Sequence, residues 1–230
     1  MNAFRNEARI ALAVARKDAL SELRGRHATV STLFFAAIVL LLFGFALGPD
    51  SARLAAAAPG LLWLAVVFAG LLAVNRLHLL ETDDGALEQL ALYPVSRCAI
   101  YAGKALGGFG VMLLLGAVVL GAVGVLFAVD IGGAWPALLA TVVLGALGVA
   151  AVGTFYAGIT VRLRAREVML PLLMLPVLAP LLLAAVKATA AALNGDPFGE
   201  LGSWLQLLLA FDVLMLAAGL ATYGFLLEDG

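Results

Sequence analysis

Residues 105–129 read ALGGFGVMLLLGAVVLGAVGVLFAV, a stretch without a single charged side chain. A helix needs about 20 mostly apolar residues to cross a hydrocarbon core roughly 30 Å thick. Five other stretches between Thr29 and Leu227 have the same character. The sequence therefore predicts an all-α membrane protein with six transmembrane helices, which we place at 29–48, 57–76, 105–129, 135–159, 168–190 and 203–227.

The overall composition agrees with this fold class. Hydrophobic residues make up 64% of the 230 residues, and charged residues make up 13%, whereas about 25% is typical of soluble domains. Soluble folds are thereby excluded, and we predict no nucleic-acid partner. Six spans leave little chain for other domains, so we expect a single membrane domain over 29–227 with short loops.

The distribution of basic residues predicts the orientation. Twelve of the fourteen Lys and Arg residues fall on one side of the predicted spans, and only Arg53 and Lys187 fall on the other. Because cytoplasmic loops carry the excess of Lys and Arg, both termini are predicted to be cytoplasmic. The charged segment before the first span is too long and too mixed in charge for a cleaved signal peptide, so we expect it to be retained.

Residues 1–28 are predicted to form an amphipathic helix in the plane of the lipid headgroups. Their apolar residues recur at three- and four-residue spacing, as expected for one face of a helix. Such a helix either serves only to anchor the topology or helps to hold a cytoplasmic partner. The apolar positions are Phe4, Ala8, Ala11, Leu12, Ala15, Ala19 and Leu23.

The second cytoplasmic segment, 77–104, is unusually acidic. Asp83 or Asp84 can cap the start of a helix, and Pro94 stops it. Ala86, Leu87, Leu90 and Ala91 provide an apolar face for this helix. The pattern predicts a short surface helix at about 84–92 that docks onto another protein. A solvated loop is the alternative.

Several motifs, taken in order along the chain, resemble those of type 2 ABC exporter permeases, and more closely those of the CcmB family. They include K17-D18 and E22-L-R24 near the start and P59-G-L-L-W-L in the second span. E81-T-D-D-G-A-L-E-Q-L-A-L-Y-P-V-S-R97 follows, before Gly103-Lys104, and the fifth span contains three prolines. The resemblance implies an N-terminal elbow helix, a six-span permease and a short cytoplasmic coupling helix.

The resemblance also implies a subunit that has no ATPase activity of its own. Members of the family work with an ABC ATPase, CcmA, with the membrane subunits CcmC and CcmD, and with the haem chaperone CcmE in the bacterial inner membrane. ATP, bound by the partner, drives either haem export or release of the haem-loaded chaperone. A phosphate-binding loop would need Gly and Ser or Thr where Cys98 and Ala105 stand around Gly103-Lys104.

The resemblance implies two sets of site residues, one for coupling to the ATPase and one in the elbow helix. Closure of the ATPase dimer would move the first, second and fifth spans through the coupling helix. The coupling residues are Glu81, Asp83, Asp84, Leu87, Glu88 and Arg97. The elbow-helix residues are Arg16, Lys17, Asp18, Glu22 and Arg24.

The fifth span contains Pro171, Pro176 and Pro180. Each proline removes a backbone donor and clashes with the preceding turn, so we expect this helix to be bent or locally unwound. A gating helix beside the transport pathway and a static kink are the two interpretations.

Small residues are concentrated in the third and fourth spans, where they permit close packing of helices in lipid. They are also suited to a homodimer or to pairing with another membrane subunit. The positions are Gly107, Gly108, Gly110, Gly116, Gly121, Gly124, Gly145, Gly148 and Gly153.

Asp212 is the only ionisable residue clearly inside a span, and ionisable residues at that depth are functional by default. We consider a pairing with Lys187 in the outer leaflet. A single carboxylate is too little for a proton relay, which argues against an ion-coupled carrier.

No metal site or catalytic residue is predicted. His27 and His78 fall at the cytoplasmic ends of the first two spans, and Cys98 is the sole cysteine. We interpret the histidines as interfacial residues and treat haem as cargo rather than as a bound cofactor. A generic permease for a drug, lipid or polysaccharide is the remaining alternative.

Overall fold

The computed structural model describes the backbone of residues 2–24, 27–83, 97–160 and 166–226. Every regular element in these ranges is an α-helix. The helices are α1 (Asn2–Arg24), α2 (His27–Leu47), α3 (Ser51–Asp83), α4 (Arg97–Leu126), α5 (Trp135–Thr160), α6 (Arg166–Leu193) and α7 (Leu201–Leu226).

The six predicted spans are confirmed. Helices α2 to α7 are each long and apolar enough to cross a membrane, over Val30–Leu47, Ser51–Ala73, Cys98–Leu126, Trp135–Ile159, Met169–Leu193 and Leu201–Thr222. The chain is therefore a multi-pass membrane protein, and the all-α fold class is confirmed.

Three predicted boundaries are wrong. Helix α3 begins at Ser51 rather than at 57 and ends at Asp83 rather than at 76, and α4 begins at Arg97 rather than at 105. Hydropathy marks the part of a helix that can lie in hydrocarbon, whereas backbone hydrogen bonding continues the helix into polar sequence. The connection between α3 and α4 is consequently 84–96 instead of 77–104. The predicted coupling helix at about 84–92 lies outside the described residues.

Helices α3 and α5 form the centre of the bundle. In their membrane-spanning parts 61% and 67% of the residues are buried, compared with 17% in α2. Helix α5 packs against α4, α6 and α7, and α3 packs against α2, α4 and α6. All six spans are apolar, so hydropathy alone does not show which two are central.

The predicted role of the small residues is confirmed at several positions. A Cβ atom at Gly116 would lie 2.9 Å from Val142 Cγ1, and one at Gly145 would overlap the indole ring of Trp63. Gly110 and Gly121, in contrast, have no neighbouring atom within 4 Å of such a Cβ. Small residues therefore allow helices to approach one another at some positions and face the outside of the bundle at others.

Asp50 caps the start of α3. Its Oδ1 accepts hydrogen bonds from the backbone N–H groups of Ala52, at 3.0 Å, and Arg53, at 3.3 Å. These bonds satisfy donors that have no partner within the helix, and they explain why α3 starts earlier than hydropathy predicts.

We expect Asp50→Ala to lower the free energy of unfolding by about 1 kcal/mol, the usual value of such a cap. Thermal unfolding of the purified protein in detergent measures the effect, which should be roughly 2–4 °C for a chain of this size. Asp50→Asn keeps the side-chain acceptor and should behave like the wild type. An equal loss in both variants would show that the ion pair between Asp50 and Arg53, at 3.1 Å, matters more than the cap.

Candidate functional site

Helix α3 extends well beyond the length needed to cross a membrane. Its 33 residues span about 50 Å, and the part after Ala73 adds about 15 Å to the membrane-spanning portion. The two predicted coupling residues Glu81 and Asp83 lie at the end of this extension. In the chain, segment 84–96 therefore follows ten residues of helix beyond the membrane-spanning part.

The structure corrects the predicted role of Asp83 as a helix N-cap, because Asp83 is the last residue of α3. The C-terminal end of a helix carries a partial negative charge, and acidic residues there add to it. The tip of α3 is thus negatively charged. Arg97 is the first residue of α4, whereas Asp84, Leu87 and Glu88 lie outside the described residues.

The elbow helix α1 packs closely on the beginning of α4. Ala11 and Val14 of α1 are buried, and a Cβ atom at Gly103 would lie 2.7 Å from both the Ala11 carbonyl oxygen and Val14 Cβ. One turn further along, a Cβ atom at Gly107 would lie 3.1 Å from Asp18 Cβ. Two glycines on α4 therefore provide the groove in which α1 lies.

Only part of the predicted apolar face of α1 packs on α4. Ala11 of that face is buried, whereas Leu12 is 67% exposed, and Ala8 is exposed as well. Arg9 and Arg16 are also exposed. The side of α1 that contacts α4 consists of Ala11 and Val14, and a position of the helix in the plane of the lipid headgroups stays a prediction. Glu22 and Arg24 belong to the last turn of α1, and their side chains are outside the described part.

Three charged residues meet where α1 contacts α4. Lys17 Nζ lies 3.2 Å from Asp18 Oδ1, and the side chains are 50% and 14% exposed. Lys104 of α4 is only 5% exposed, and Asp18 is the anion that acts on it. The sequence places Lys104 in the segment before the third span, whereas the structure places it within α4. Asp18, the acid that acts on it, is far away in the sequence, so no local pattern reveals this arrangement.

The opposite side of the same α4 segment is held by α5 and α7. Tyr101 is fully buried, and its hydroxyl donates a hydrogen bond of 3.2 Å to the carbonyl oxygen of Ala151. Its ring packs directly on Gly219 of α7. The thiol of Cys98 donates to the carbonyl oxygen of Leu220 at 3.4 Å. Residues 98–107 of α4 therefore contact three other helices.

Asp212 lies in the interior of the bundle. It is 1% exposed, and within the described part of the chain neither carboxylate oxygen has a hydrogen-bond partner. A Cβ atom at Gly148 would lie 2.5 Å from Asp212 Oδ1, so the carboxylate packs on α5. Lys187 is exposed, and the predicted pairing with Asp212 is not formed.

Helix α6 is continuous from Arg166 to Leu193 and includes all three prolines, so the predicted local unwinding is wrong. Pro176 and Pro180 are exposed, and Pro171 is half-buried. The buried face of α6 consists of apolar residues such as Met174. The prolines therefore lie mostly away from the core, where their missing N–H groups do not disturb packing, and a gating role stays a prediction.

No three His, Cys, Asp or Glu side chains come together as a metal-binding group among the residues whose side chains are described. The side chains of His27 and His78 fall outside that set.

Comparison with known proteins gives a consistent result. The family model described as CcmB protein matches residues 9–225. Heme exporter protein B of Paracoccus denitrificans is 35% identical over 173 residues, which cover 74% of this chain and 78% of the relative. Heme exporter protein B of Pseudomonas aeruginosa is 33% identical over 82% of this chain and 86% of the relative. That of Bradyrhizobium diazoefficiens is 30% identical over 90% of this chain and 92% of the relative. The six-span helical fold and the family match over nearly the whole chain together show that this protein belongs to the CcmB family.

Proposed function

We propose that this chain is the membrane permease subunit of a haem-exporting ABC complex that serves cytochrome c maturation. The observation that carries the proposal is membership of the CcmB family, together with similarity to proteins named heme exporter protein B. The named relatives do not favour a generic permease for a drug, lipid or polysaccharide. The chain itself is non-catalytic, and ATP is bound and hydrolysed by a partner ATPase.

The extension of α3 supports a contact with that ATPase. It carries segment 84–96 away from the membrane-spanning part, and Glu81 and Asp83 make its tip negative. We propose that the tip and the segment after it dock into a groove of the ATPase with a basic lining. Because the excess of Lys and Arg lies on the side of α1, this side is proposed to be cytoplasmic, with both termini there.

The other proposed partners are membrane subunits similar to CcmC and CcmD and a haem chaperone similar to CcmE. Haem is proposed as the cargo that the complex exports or releases on its chaperone, and not as a resident cofactor of this chain. A second copy of the chain is a further proposed partner. Purification of the chain from its native membrane in mild detergent tests the whole set. An ABC ATPase and haem-handling subunits should be recovered with it.

We expect reversal of two coupling charges, Glu81→Lys with Glu88→Lys, to weaken ATPase binding by at least about tenfold, because like charges across an interface cost several kcal/mol. Cellular content of c-type cytochromes, detected by haem staining, should fall accordingly, while the amount of the chain in the membrane stays unchanged. Co-purification of the ATPase measures the binding itself.

The matched control reverses two exposed acidic residues elsewhere, Glu7→Lys with Glu200→Lys, and alters net charge by the same amount. This control should bind the ATPase like the wild type. Normal cytochrome maturation in the Glu81/Glu88 variant would refute the coupling role of these charges.

A further inference from the structure

The first turns of α4 directly follow the coupling segment, 84–96, in the chain. Helix α4 begins at Arg97, and its membrane-spanning part begins at Cys98. Lys104 follows Arg97 by seven residues, or about 10 Å along a helix axis. The coupling segment is joined to α3 at Asp83 and to α4 at Arg97, so a displacement of it acts on residues 98–107 of α4 as well as on the end of α3.

The contact of α1 with this part of α4 is too close to allow sliding. Backbone and Cβ atoms of α1 occupy the space that side chains at Gly103 and Gly107 would take, with separations of 2.7 and 3.1 Å from ideal Cβ positions. Interfaces packed at this density hold discrete arrangements and do not deform continuously. Helix α1 thus has to follow α4 when α4 moves.

A buried charge also contributes to this contact between α1 and α4. Lys104 is 5% exposed, and a cation removed from water requires a nearby anion. Asp18 of α1 acts electrostatically on Lys104, and its carboxylate binds Lys17 on its own helix at 3.2 Å. A Cβ atom at Gly107 would lie 3.3 Å from Asp18 Oδ2, which places the carboxylate directly against α4.

We infer that Asp18 and Lys104 are positioning residues that join the elbow helix to the start of α4, so that motion of the coupling segment moves α1 and α4 as one body. The inference rests on the proposed function, since it concerns how the movement driven by ATP hydrolysis is transmitted to the membrane domain. Tyr101, which packs on α5 and α7, passes the same motion to the fourth and sixth spans. This route adds the third, fourth and sixth spans to the first, second and fifth spans, whose movement stays a prediction.

The first test compares Asp18→Asn with Asp18→Glu and with Glu7→Gln in cells that depend on this chain for cytochrome maturation. Asp18→Asn removes the charge facing Lys104, and holocytochrome c should fall by at least about tenfold, because breaking a buried charge pair is strongly unfavourable. Asp18→Glu should keep most of the activity. Glu7→Gln neutralises an exposed acid on the same helix and should have no effect.

A readout of coupling separates a positioning role from simple misfolding. Complexes with Asp18→Asn should still contain the ATPase and hydrolyse ATP, while ATP-driven haem release is lost. Normal haem release in this variant would overturn the inference.

A second variant keeps Asp18 and tests the rigid connection directly. A Cβ atom at position 103 would lie 2.7 Å from Val14 Cβ and from the Ala11 carbonyl oxygen. In Val14→Cys with Gly103→Cys, in a Cys98→Ser background, the helices therefore separate by about 1 Å, which also brings the two Cβ atoms to disulfide distance, and the reduced form of this same variant is the reference. The oxidised complex should hydrolyse ATP and release haem as well as the reduced one, because α1 and α4 move together. Loss of activity on oxidation, with recovery on reduction, would show that the two helices must separate. It would refute the proposal that α1 and α4 move as one body. This result decides the question even if Asp18→Asn fails to accumulate.

These outcomes are distinguishable from failure of the proposed function. A wild-type chain that recovers no ATPase refutes the proposed function. Suppose instead that the wild-type complex couples ATP hydrolysis to haem release and that the Asp18→Asn complex does so equally well. This result refutes only the proposed connection between α1 and α4.

Discussion

Gly145→Val is expected to lower the free energy of unfolding by about 3 kcal/mol, near the upper end of the usual cost of overpacking a core. Gly145 of α5 lies against Trp63 of α3, and a Cβ atom there would overlap the indole ring. Trp63 is 1% exposed, so its ring has no free space into which it could move.

Hydrogen bonds also hold the indole in place. Trp63 Nε1–H donates to Thr189 Oγ1 at 2.9 Å, and the Thr189 hydroxyl donates to the carbonyl oxygen of Ala185 at 2.7 Å. This chain of bonds links α3 to α6 across the face of α5. Turning the ring aside would leave buried donors and acceptors unsatisfied, which adds to the steric cost.

Thermal unfolding in detergent should show a midpoint roughly 6–12 °C lower for Gly145→Val, using the usual ratio for chains of this size. Gly110→Val and Gly121→Val are matched controls, because both glycines have open space around an added Cβ. A smaller residue at position 63, as in Trp63→Leu with Gly145→Val, should recover part of the loss, since the two positions are in contact. A stable Gly145→Val protein would contradict the packing of α3 on α5.

Asp212→Ala is expected to raise the free energy of unfolding by about 2 kcal/mol, because an unpaired buried polar group costs roughly 1–3 kcal/mol. The residue is 1% exposed, and neither carboxylate oxygen has a hydrogen-bond partner among the described residues. Alanine removes the carboxylate and leaves a small gap beside Gly148 and Leu181. The gap reduces the gain in the free energy of unfolding but does not cancel it.

The unfolding midpoint of Asp212→Ala should rise by roughly 4–8 °C. Glu7→Ala removes an exposed acid on α1 and should change the midpoint little. A fall in stability for Asp212→Ala would mean that a group in the assembled complex binds the carboxylate. Ionisable residues in membrane interiors are retained for function by default, so haem release is measured on the same preparation.

The comparison of prediction with structure is clearest at the start of α4. Its apolar run, 105–129, identifies a span because the free energy of transferring such residues into hydrocarbon is a local, additive property. The actual start of the helix at Arg97 depends on hydrogen bonding through polar residues, which hydropathy does not record. Lys104 was consequently assigned to a loop, although it is buried.

The elbow helix shows a second limit of the sequence pattern. The spacing of its apolar residues correctly predicted a helix, now observed over Asn2–Arg24. The same spacing does not show that Ala11 and Val14, and not Leu12, contact the two glycines of α4. Which face of a helix is buried depends on the shape of its neighbour, and that neighbour is about ninety residues away in the chain.

The candidate coupling residues were predicted from a resemblance to the CcmB family. The family is confirmed, and the individual contacts of these residues stay predictions. The structure adds the extension of α3 to Asp83. The sequence predicts an end at 76, because the prediction uses only the length that a helix needs to cross the membrane.

By itself, the sequence determined that this chain crosses a membrane six times, that its basic residues lie on one side, and that it resembles the CcmB family. Each of these properties depends on residues close together in the chain or on their order. Only the tertiary structure decided that α3 and α5 are central, that Trp63 lies on Gly145, that Asp212 is buried without pairing to Lys187, and that Asp18 lies against α4 at Gly107. The physical reason is that apolar helices in a bilayer associate through shape, small residues and specific polar contacts, and hydrophobicity does not distinguish one partner from another.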